Sequence, residues 1–192
     1  MDIGLRNINK AYGGQRVLTD FSADFAGGQI SCIMAPSGWG KTTLIRLMMG
    51  LEHIDSGEMT GLEGLRKSVV FQEDRLCENL SATANIRLVC PEKSKPLVEG
   101  EMSSFGLGGD ALGKPVRELS GGMRRRVALL RALLASYDIL YMDEPFKGLD
   151  DDTKETVMAE THRLILGKTA LLLTHDRREA TALGASKILE IY

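Results

Sequence analysis

The chain has 192 residues and a formal net charge of −2, which suits one domain with a sizeable core and argues against a nucleic-acid partner. Hydrophobic residues make up 43% and charged residues 26%, as in ordinary soluble proteins, and no apolar run reaches the roughly 20 residues of a membrane-spanning helix. The start lacks a signal-peptide pattern and the three cysteines have no metal-binding spacing, which predicts a cytoplasmic protein without a cysteine-bound metal.

Short apolar or alternating segments predict strands at residues 3–9, 17–25 and 30–34, with a turn at Gly27 and Gly28. A helix is predicted to begin at Lys41, because leucine, isoleucine and methionine recur after it at helical spacing. Gly50 should end this helix, and residues 68–71 predict another short buried strand.

Residues 35–42, Ala-Pro-Ser-Gly-Trp-Gly-Lys-Thr, lie between the third strand and this helix, which is the context of a phosphate-binding loop. Gly38 and Gly40 would let backbone N–H groups crowd around a phosphate, and the helix N-terminus adds positive potential. Lys41 is placed to reach the β- and γ-phosphates, and the Thr42 hydroxyl to bind Mg²⁺. The segment therefore predicts an ATP site with Mg²⁺ as cofactor, in which the further candidate contacts are Pro36, Ser37, Trp39 and Thr43.

Residues 73–119 differ in character from the segments on either side. They contain Pro91, Pro96 and Pro115 with several glycines, and only short helical patterns such as residues 81–89. We therefore predict a small helical subdomain inserted into a core of residues 1–72 and 120–192, within a single domain that covers residues 1–192.

Strands and helices alternate in the last third of the chain. Ser120 is a helix-capping residue, and Met123, Val127, Leu130 and Leu134 follow it on one helical face. Beyond this helix, the pattern predicts strands at 139–142, 170–173 and 187–191, and helices at 153–166 and 177–183. This alternation predicts an α/β fold whose mostly parallel sheet is covered by helices.

Two acidic residues, Asp143 and Glu144, follow the apolar strand at residues 139–142 and precede Pro145. Both carboxylates should emerge at the carboxyl edge of the sheet, beside the phosphates. Asp143 is suited to hold Mg²⁺ through water, and Glu144 to accept a proton from the attacking water as general base.

The segment Leu119-Ser120-Gly121-Gly122 lies shortly before the acidic strand, and with the phosphate loop and the acid pair it resembles the signature of ABC-class ATPases. The chain is similar to nucleotide-binding subunits of ABC transporters over nearly its whole length. The resemblance implies a P-loop NTPase fold with an N-terminal antiparallel β subdomain. It also implies that Ser120, Gly121 and Gly122 of one subunit face the γ-phosphate held by a second, so that two ATP molecules lie between head-to-tail copies.

Further positions match the family one at a time. Tyr12 corresponds to an aromatic residue that stacks on adenine, although a packing tyrosine remains an alternative. Gln72 resembles the glutamine that contacts Mg²⁺ and water and senses the membrane partner. His175 resembles the switch histidine that binds the γ-phosphate, and Asp150 the aspartate that couples the two sites.

Two positions depart from the family pattern. Ala35 stands where most relatives have glycine, which costs about 1–2 kcal/mol if that position requires a positive φ and almost nothing if φ is negative. The sequence leaves both cases open. We expect nucleotide binding to survive the alanine, since the loop N–H groups remain. Met123 replaces the usual glutamine after the signature glycines, which is expected to alter a fine contact but not the role of the glycines.

Arg124, Arg125 and Arg126 form a basic run directly after the signature. Because the helix is amphipathic, we interpret the three arginines as a solvated or subunit-contacting face rather than a nucleic-acid site.

The segments at residues 70–76 and 79–86 resemble those of importers for nitrate, sulfonate, taurine and thiamine-precursor compounds. The resemblance implies an ATPase that is peripheral on the inner face of the cell membrane. Its partners would be a second ATPase subunit, as a homodimer, transmembrane permease subunits and, indirectly, a substrate-binding protein. Two alternatives stay open, a soluble ABC-class ATPase not coupled to transport and a regulatory subunit that binds ATP but barely hydrolyses it.

Overall fold

The computed structural model describes residues 2–191, with position 110 described through its backbone alone. Along this part of the chain the elements are β1 (Ile3–Tyr12), β2 (Gln15–Phe25), β3 (Ile30–Met34), α1 (Lys41–Met49), β4 (Ser56–Thr60), β5 (Lys67–Val70), α2 (Ala82–Arg87), α3 (Lys95–Ser104), 3₁₀ turns at Gly109–Leu112 and Val116–Glu118, α4 (Gly121–Leu134), β6 (Ile139–Asp143), α5 (Asp151–Ile165), β7 (Thr169–Thr174), α6 (Arg177–Ala182) and β8 (Lys187–Glu190). The predicted strands and helices of the sheet region are present, with bounds that differ from the predicted ones by at most three residues.

A parallel sheet in the order β5-β6-β7-β3-β8 forms the centre of the molecule. All residues of β6 are buried, and β3 and β7 are buried along nearly their whole length. Such continuous apolar strands are typical of a parallel sheet covered on both faces. The carboxyl ends of β3, β6 and β7 therefore meet at one edge, where the loops after each strand come together.

A second sheet is antiparallel and has the order β2-β1-β4. Gly13 and Gly14, both with positive φ, form the tight turn between β1 and β2. β4 was not predicted, because its residues are mostly exposed and it has a single partly buried apolar residue, Met59. This sheet lies against α1, and the two share one hydrophobic cluster with β6 and β7.

Residues 73–119 contain α2, α3 and the two 3₁₀ turns, as the composition predicted. The predicted helix at 81–89 is shorter in the structure, where Ser81 caps α2 and Leu88 ends it. Val98, Met102 and Phe105 are fully buried, and they belong to the same hydrophobic cluster as α4 and the other face of the parallel sheet. The helical segment is thus packed directly against α4. Within residues 2–191, no helix combines the length and the apolar character needed to cross a membrane.

Candidate active site

The phosphate-binding loop connects β3 to α1 at the carboxyl edge of the parallel sheet. Gly38 and Gly40 have φ values of +85° and +110°, which glycine adopts without strain. A Cβ atom at Gly40 would also lie 2.8 Å from the Cγ1 atom of Val17, so glycine is required there for both conformation and space. α1 begins at Lys41, and Gly50, in the left-handed conformation, caps it after Met49, which confirms both predicted ends of this helix.

Ala35 opens the loop and has no positive φ. Its N–H donates to the Thr174 carbonyl at 3.4 Å, and its side chain is buried in the core. Of the two cases that the sequence left open, the structure therefore selects the one without backbone strain.

Lys41 lies beneath the loop with its side chain almost completely buried. Its Nζ atom donates to the carbonyl oxygens of Ala35, at 2.8 Å, and Pro36, at 3.2 Å, and lies 3.3 Å from Glu144 Oε1. The amine therefore joins the loop to the acidic end of β6 and is directed toward the space that phosphates would occupy.

The Thr42 hydroxyl donates to Asp143 Oδ2 at 2.5 Å, which brings two of the three predicted magnesium-binding residues into contact. Burial raises the pKa of Asp143, and the neighbouring Glu144 charge adds to this effect, whereas the Thr42 hydrogen bond and the charge of Lys41 oppose it. Mg²⁺ prefers oxygen ligands and uses few protein groups together with waters and phosphate oxygens. A hydroxyl beside a buried carboxylate fits that donor set.

Glu144 lies at the end of β6 with a φ of +45°, an unusual conformation for a residue with a side chain. Its N–H donates to the Leu173 carbonyl at 2.9 Å. Burial raises its pKa, but the hydrogen bond and charge of Lys41, with smaller effects of Lys147 and His175, outweigh burial and hold the pKa below its usual value. Glu144 is therefore ionised at neutral pH, which a proton acceptor requires.

Most of the predicted phosphate-loop and acidic residues line one cavity of about 300 Å³. It is lined by Val17, Ser37, Gly38, Gly40, Lys41, Thr42, Thr43, Gln72, Asp143 and Glu144. The imidazole of His175 lies beside it, with Nδ1 3.4 Å from Glu144 Oε1 and the side chain 64% exposed. A larger cavity of about 780 Å³ between α5 and α6 is lined by none of the predicted site residues, so we assign the chemistry to the smaller one.

The signature residues 119–122 do not line the cavity of their own chain. Ser120 caps α4 by accepting a hydrogen bond from the Met123 N–H at 3.3 Å, and Ser120 and Gly121 are exposed. A Cβ at Gly122 would lie 3.6 Å from Leu149 Cδ2, so this end of α4 is next to the segment that leads to Asp150. The signature and Asp150 thus share one surface, separate from the phosphate loop.

Asp150 caps α5 by accepting from the Thr153 N–H at 2.9 Å, and this hydrogen bond lowers its pKa. The cap explains why α5 begins at Asp151, two residues earlier than predicted.

Neither of the two predicted aromatic contacts, Tyr12 and Trp39, lines the cavity. Tyr12 is 44% exposed, its hydroxyl is hydrogen-bonded to Glu52, and the Lys10 amine lies 5.2 Å from its ring. Trp39 is half-buried and packs edge-on against Phe21, with ring centroids 5.2 Å apart. Trp39 does not line the cavity, so its indole supports the loop from the side of the antiparallel sheet.

The interpretation of the basic run as a solvated or subunit-contacting face is wrong for Arg125. This side chain is buried, and its guanidinium donates to the carbonyls of Asp143, at 3.0 Å, and Glu144, at 2.7 Å. Burial lowers the pKa of its guanidinium, and the nearby Asp74 carboxylate partly compensates. One signal was available, because Arg125 precedes Ala128, Leu129 and Ala132 by three, four and seven positions and therefore lies on an apolar face.

Together, the loop, the buried acid pair at the strand ends and the Thr42–Asp143 contact define a P-loop nucleotide hydrolase. The chain belongs to the ABC transporter family, whose model matches residues 18–147. It is 36% identical to the aliphatic sulfonates import ATP-binding protein SsuB 2 of Burkholderia cenocepacia, over 95% of this chain and 71% of that protein. It is also similar to the sulfate/thiosulfate import ATP-binding protein CysA of Burkholderia mallei, with 35% identity over 94% of this chain and 57% of that protein. The spermidine/putrescine import ATP-binding protein PotA of Spiroplasma citri is 37% identical, over 94% of this chain and 56% of that protein.

The dimeric structure of MJ0796, a bacterial ABC transporter cassette, matches with a TM-score of 0.85 and 25% identity, covering 98% of this chain and 94% of that chain. A second match with the same values is the dimeric post-hydrolysis state of the ATP-binding cassette MJ0796 bound to ADP and Pi. The expected fold class is confirmed. The protein is an ABC-class ATPase that binds ATP, with Mg²⁺ as the general cofactor of such enzymes.

Proposed function

We propose that this protein is the ATP-hydrolysing subunit of an ABC importer and works as an ATP-dependent homodimer with separate permease subunits. The observation that carries the proposal is the separation of two surfaces. Lys41, Asp143 and Glu144 converge on one cavity, whereas Ser120 and Gly121 are exposed elsewhere. The residues that line the cavity do not include the signature, so the start of α4 of a second copy would supply the contacts to a γ-phosphate bound there.

The chain's own groups divide the chemical work. Backbone N–H groups of the loop would hold the phosphates, and Lys41 would transfer its N–H donors from the Ala35 and Pro36 carbonyls to phosphate oxygens. Glu144 would orient the attacking water and accept its proton, and His175 would contact the γ-phosphate from the neighbouring loop. Mg²⁺, when bound, would be held by Thr42 and Asp143 with Gln72 nearby, and would neutralise charge on the phosphates.

Dimer closure would be driven by nucleotide rather than by a large apolar interface. The N-terminus of α4 carries partial positive charge and exposed backbone N–H groups, which suit an anionic phosphate. Asp150 lies next to this helix end and would couple the two ATP sites across the dimer.

The residues of the nucleotide site do not indicate which compound is transported. The relatives named above are importers of sulfonates, sulfate or thiosulfate and polyamines, although their identity to this chain differs little, from 35% to 37%. The named compounds include both anions and cations, although the three relatives are about equally similar to this chain. This supports recognition of the transported compound by chains other than the ATPase. We propose a small anion or organic solute such as nitrate, a sulfonate, taurine or a thiamine precursor, and a position peripheral to the inner face of the membrane.

Affinity purification of the tagged protein from solubilised native membranes tests this function. A multi-span permease should co-purify, and an untagged strain should yield none. Reproducible recovery of soluble partners alone, such as ribosomes or DNA, would overturn the importer proposal. Phosphate release by the wild type that exceeds that of Glu144→Gln would exclude a purely regulatory ATP-binding subunit.

A further inference from the structure

Arg125 lies in the second turn of α4, one turn beyond the signature glycines, and is 4% exposed. A buried arginine is costly unless its N–H groups are all paired. Here the guanidinium is inserted between the end of β6, the loop that follows it and the loop that contains Gln72.

The guanidinium donates to main-chain carbonyls from all three segments. Its Nη2 atom contacts the carbonyls of Asp143 and Glu144, and Nε donates to the Pro145 carbonyl at 2.8 Å. Its Nη1 atom donates to the Phe71 carbonyl at 2.6 Å and the Gln72 carbonyl at 3.3 Å, with Asp74 Oδ1 also at 3.3 Å. One side chain thereby holds the backbone on both sides of the proposed general base and of the proposed magnesium-contacting glutamine.

The backbone conformation of Glu144 explains what the Arg125 hydrogen bonds stabilise. Its positive φ is unfavourable for a residue with a Cβ, and such a conformation persists only where surrounding contacts hold it. Arg125 donates to the carbonyl of Asp143, before Glu144, and to the carbonyl of Glu144 itself. It therefore fixes the peptide planes on both sides of the Glu144 Cα, and these planes determine where the carboxylate is directed.

We infer that Arg125 is a positioning residue that orients Glu144 and links the start of α4 to both Glu144 and the Gln72 loop. Movement of α4, whose N-terminus would contact a partner-bound phosphate, is transmitted through a rigid planar group to the general base. The inference rests on the role proposed for Glu144 above.

Arginine is required because its planar fork offers five N–H donors in fixed directions, whereas lysine offers one rotating ammonium. Arg125→Lys keeps the charge but cannot bridge three segments, and Arg125→Gln keeps a planar amide with two donors. Arg131→Lys is the matched control, because Arg131 on the same helix also donates to carbonyls, those of Asp74 and Arg75, and to none in the Glu144 turn.

The experiment measures kcat and KM for Mg-ATP, nucleotide affinity by Trp39 fluorescence, and Tm. We expect Arg125→Lys to lower kcat at least tenfold, with ATP affinity within about threefold of wild type. Arg131→Lys should change kcat less than twofold. Because Arg125 acts through Glu144, adding Arg125→Lys to Glu144→Gln should not lower the residual rate further. Equal kcat losses in Arg125→Lys and Arg131→Lys, or an additive double variant, would overturn the inference.

The possible failures are distinguishable. An active Glu144→Gln variant would reject the proposed role of Glu144, whereas an inactive Glu144→Gln with a fully active Arg125→Lys would reject only the role of Arg125. If neither Arg125 variant folds, NMR of the unaltered protein decides. The Arg125 Nε–H should exchange slowly and shift when Mg-ADP binds, and a solvent-exchanging or unshifted resonance would overturn the inference.

Discussion

Lys41 and Glu144 form a buried ion pair in which Nζ and Oε1 are 3.3 Å apart. The pair connects the first residue of α1 to the residue that follows β6, so the phosphate loop and the proposed general base share one cation. Burial and this cation act in opposite directions on the pKa of Glu144, and the cation prevails. A phosphate that recruits Lys41 would weaken the pair and leave Glu144 more basic when water is to be deprotonated.

The first prediction concerns Glu144→Gln, which keeps the size of the side chain and removes its charge. We expect kcat to fall at least about 100-fold, because the proton acceptor is lost, while ATP still binds. With hydrolysis blocked, the ATP-bound dimer should accumulate and be detected by light scattering after size-exclusion chromatography. The control is Glu155→Gln, an exposed acid on α5. A variant that remained monomeric at saturating Mg-ATP would contradict the proposed pairing.

The second prediction tests the Thr42–Asp143 contact. Thr42→Val preserves shape but removes the hydroxyl, so we expect the Mg²⁺ concentration for half-maximal activity to rise at least about tenfold. Thr42→Ser keeps the hydroxyl and should remain within about threefold of wild type. ATPase titrations with Mg²⁺ at fixed ATP make the comparison, and an unchanged Mg²⁺ requirement in Thr42→Val would remove Thr42 from the magnesium site.

Local chemistry explains why much of the fold and site could be predicted. Glycine, lysine and threonine at Gly40, Lys41 and Thr42 specify a phosphate loop at the start of a helix, and the structure has that helix start. Ser120 was recognised as a helix cap for the same reason, because capping depends only on neighbouring backbone groups.

The features that were missed depend on residues far apart in the chain. The spacing to Ala128, Leu129 and Ala132 places Arg125 on the apolar face of α4, but no local pattern encodes that the segments near residues 71 and 144 meet it there. β4 is a strand only because β1 offers it a pairing edge. The positive φ of Glu144 likewise follows from its turn after β6 and not from its residue type.

The third prediction concerns Ala35→Gly. Because φ at this position is not positive, glycine relieves no strain, and ATP affinity should remain within about twofold of wild type. The variant should lose about 0.5–1 kcal/mol of stability, since glycine increases the entropy of the unfolded chain and the buried methyl group is removed. Thermal unfolding and Trp39 fluorescence titration measure the two effects. A tenfold gain in affinity would show that Ala35 impairs the loop after all.

The fourth prediction is a pH dependence at the Arg66–Asp138 contact, where Nη2 and Oδ1 are 2.7 Å apart. Hydrogen bonds from Arg66 lower the pKa of Asp138 from 3.8 to about 2. A carboxyl group whose pKa is lower in the folded than in the unfolded protein stabilises the fold at pH values above its unfolded-state pKa. This contribution disappears as the pH falls through the folded-state pKa. Asp138→Asn should therefore lower Tm by about 1–3 °C near pH 6 and by clearly less near pH 2, where about half of the folded-state Asp138 carboxyls are protonated. Glu63→Gln is the exposed control, and a pH-independent Tm difference for Asp138→Asn would refute the linkage.

The fifth prediction concerns the attachment of the His175 loop to α5. Lys154 Nζ lies 2.8 Å from Asp176 Oδ2 and 2.6 Å from Glu179 Oε1, and Glu179 is buried. Glu179 also accepts from the Thr174 hydroxyl at 2.5 Å, so the residues on both sides of His175 are tied to Lys154.

Lys154→Met should cost about 3 kcal/mol, because it leaves the buried Glu179 without its cation and leaves Asp176 with the exposed Arg178 alone. It should also lower kcat several-fold by releasing His175. Despite burial, hydrogen bonds from Lys154 and Arg178 hold the pKa of Asp176 below its usual value, so the part of the stability loss that comes from Asp176 should be fully present above about pH 4 and shrink as the pH falls further and Asp176 protonates. Lys95→Met, which removes an exposed ion pair with Glu99, is the matched control and should be nearly neutral. Thermal unfolding between pH 2 and 8 and ATPase assays near neutral pH measure the two effects, and equal behaviour of the two variants would refute the proposed attachment.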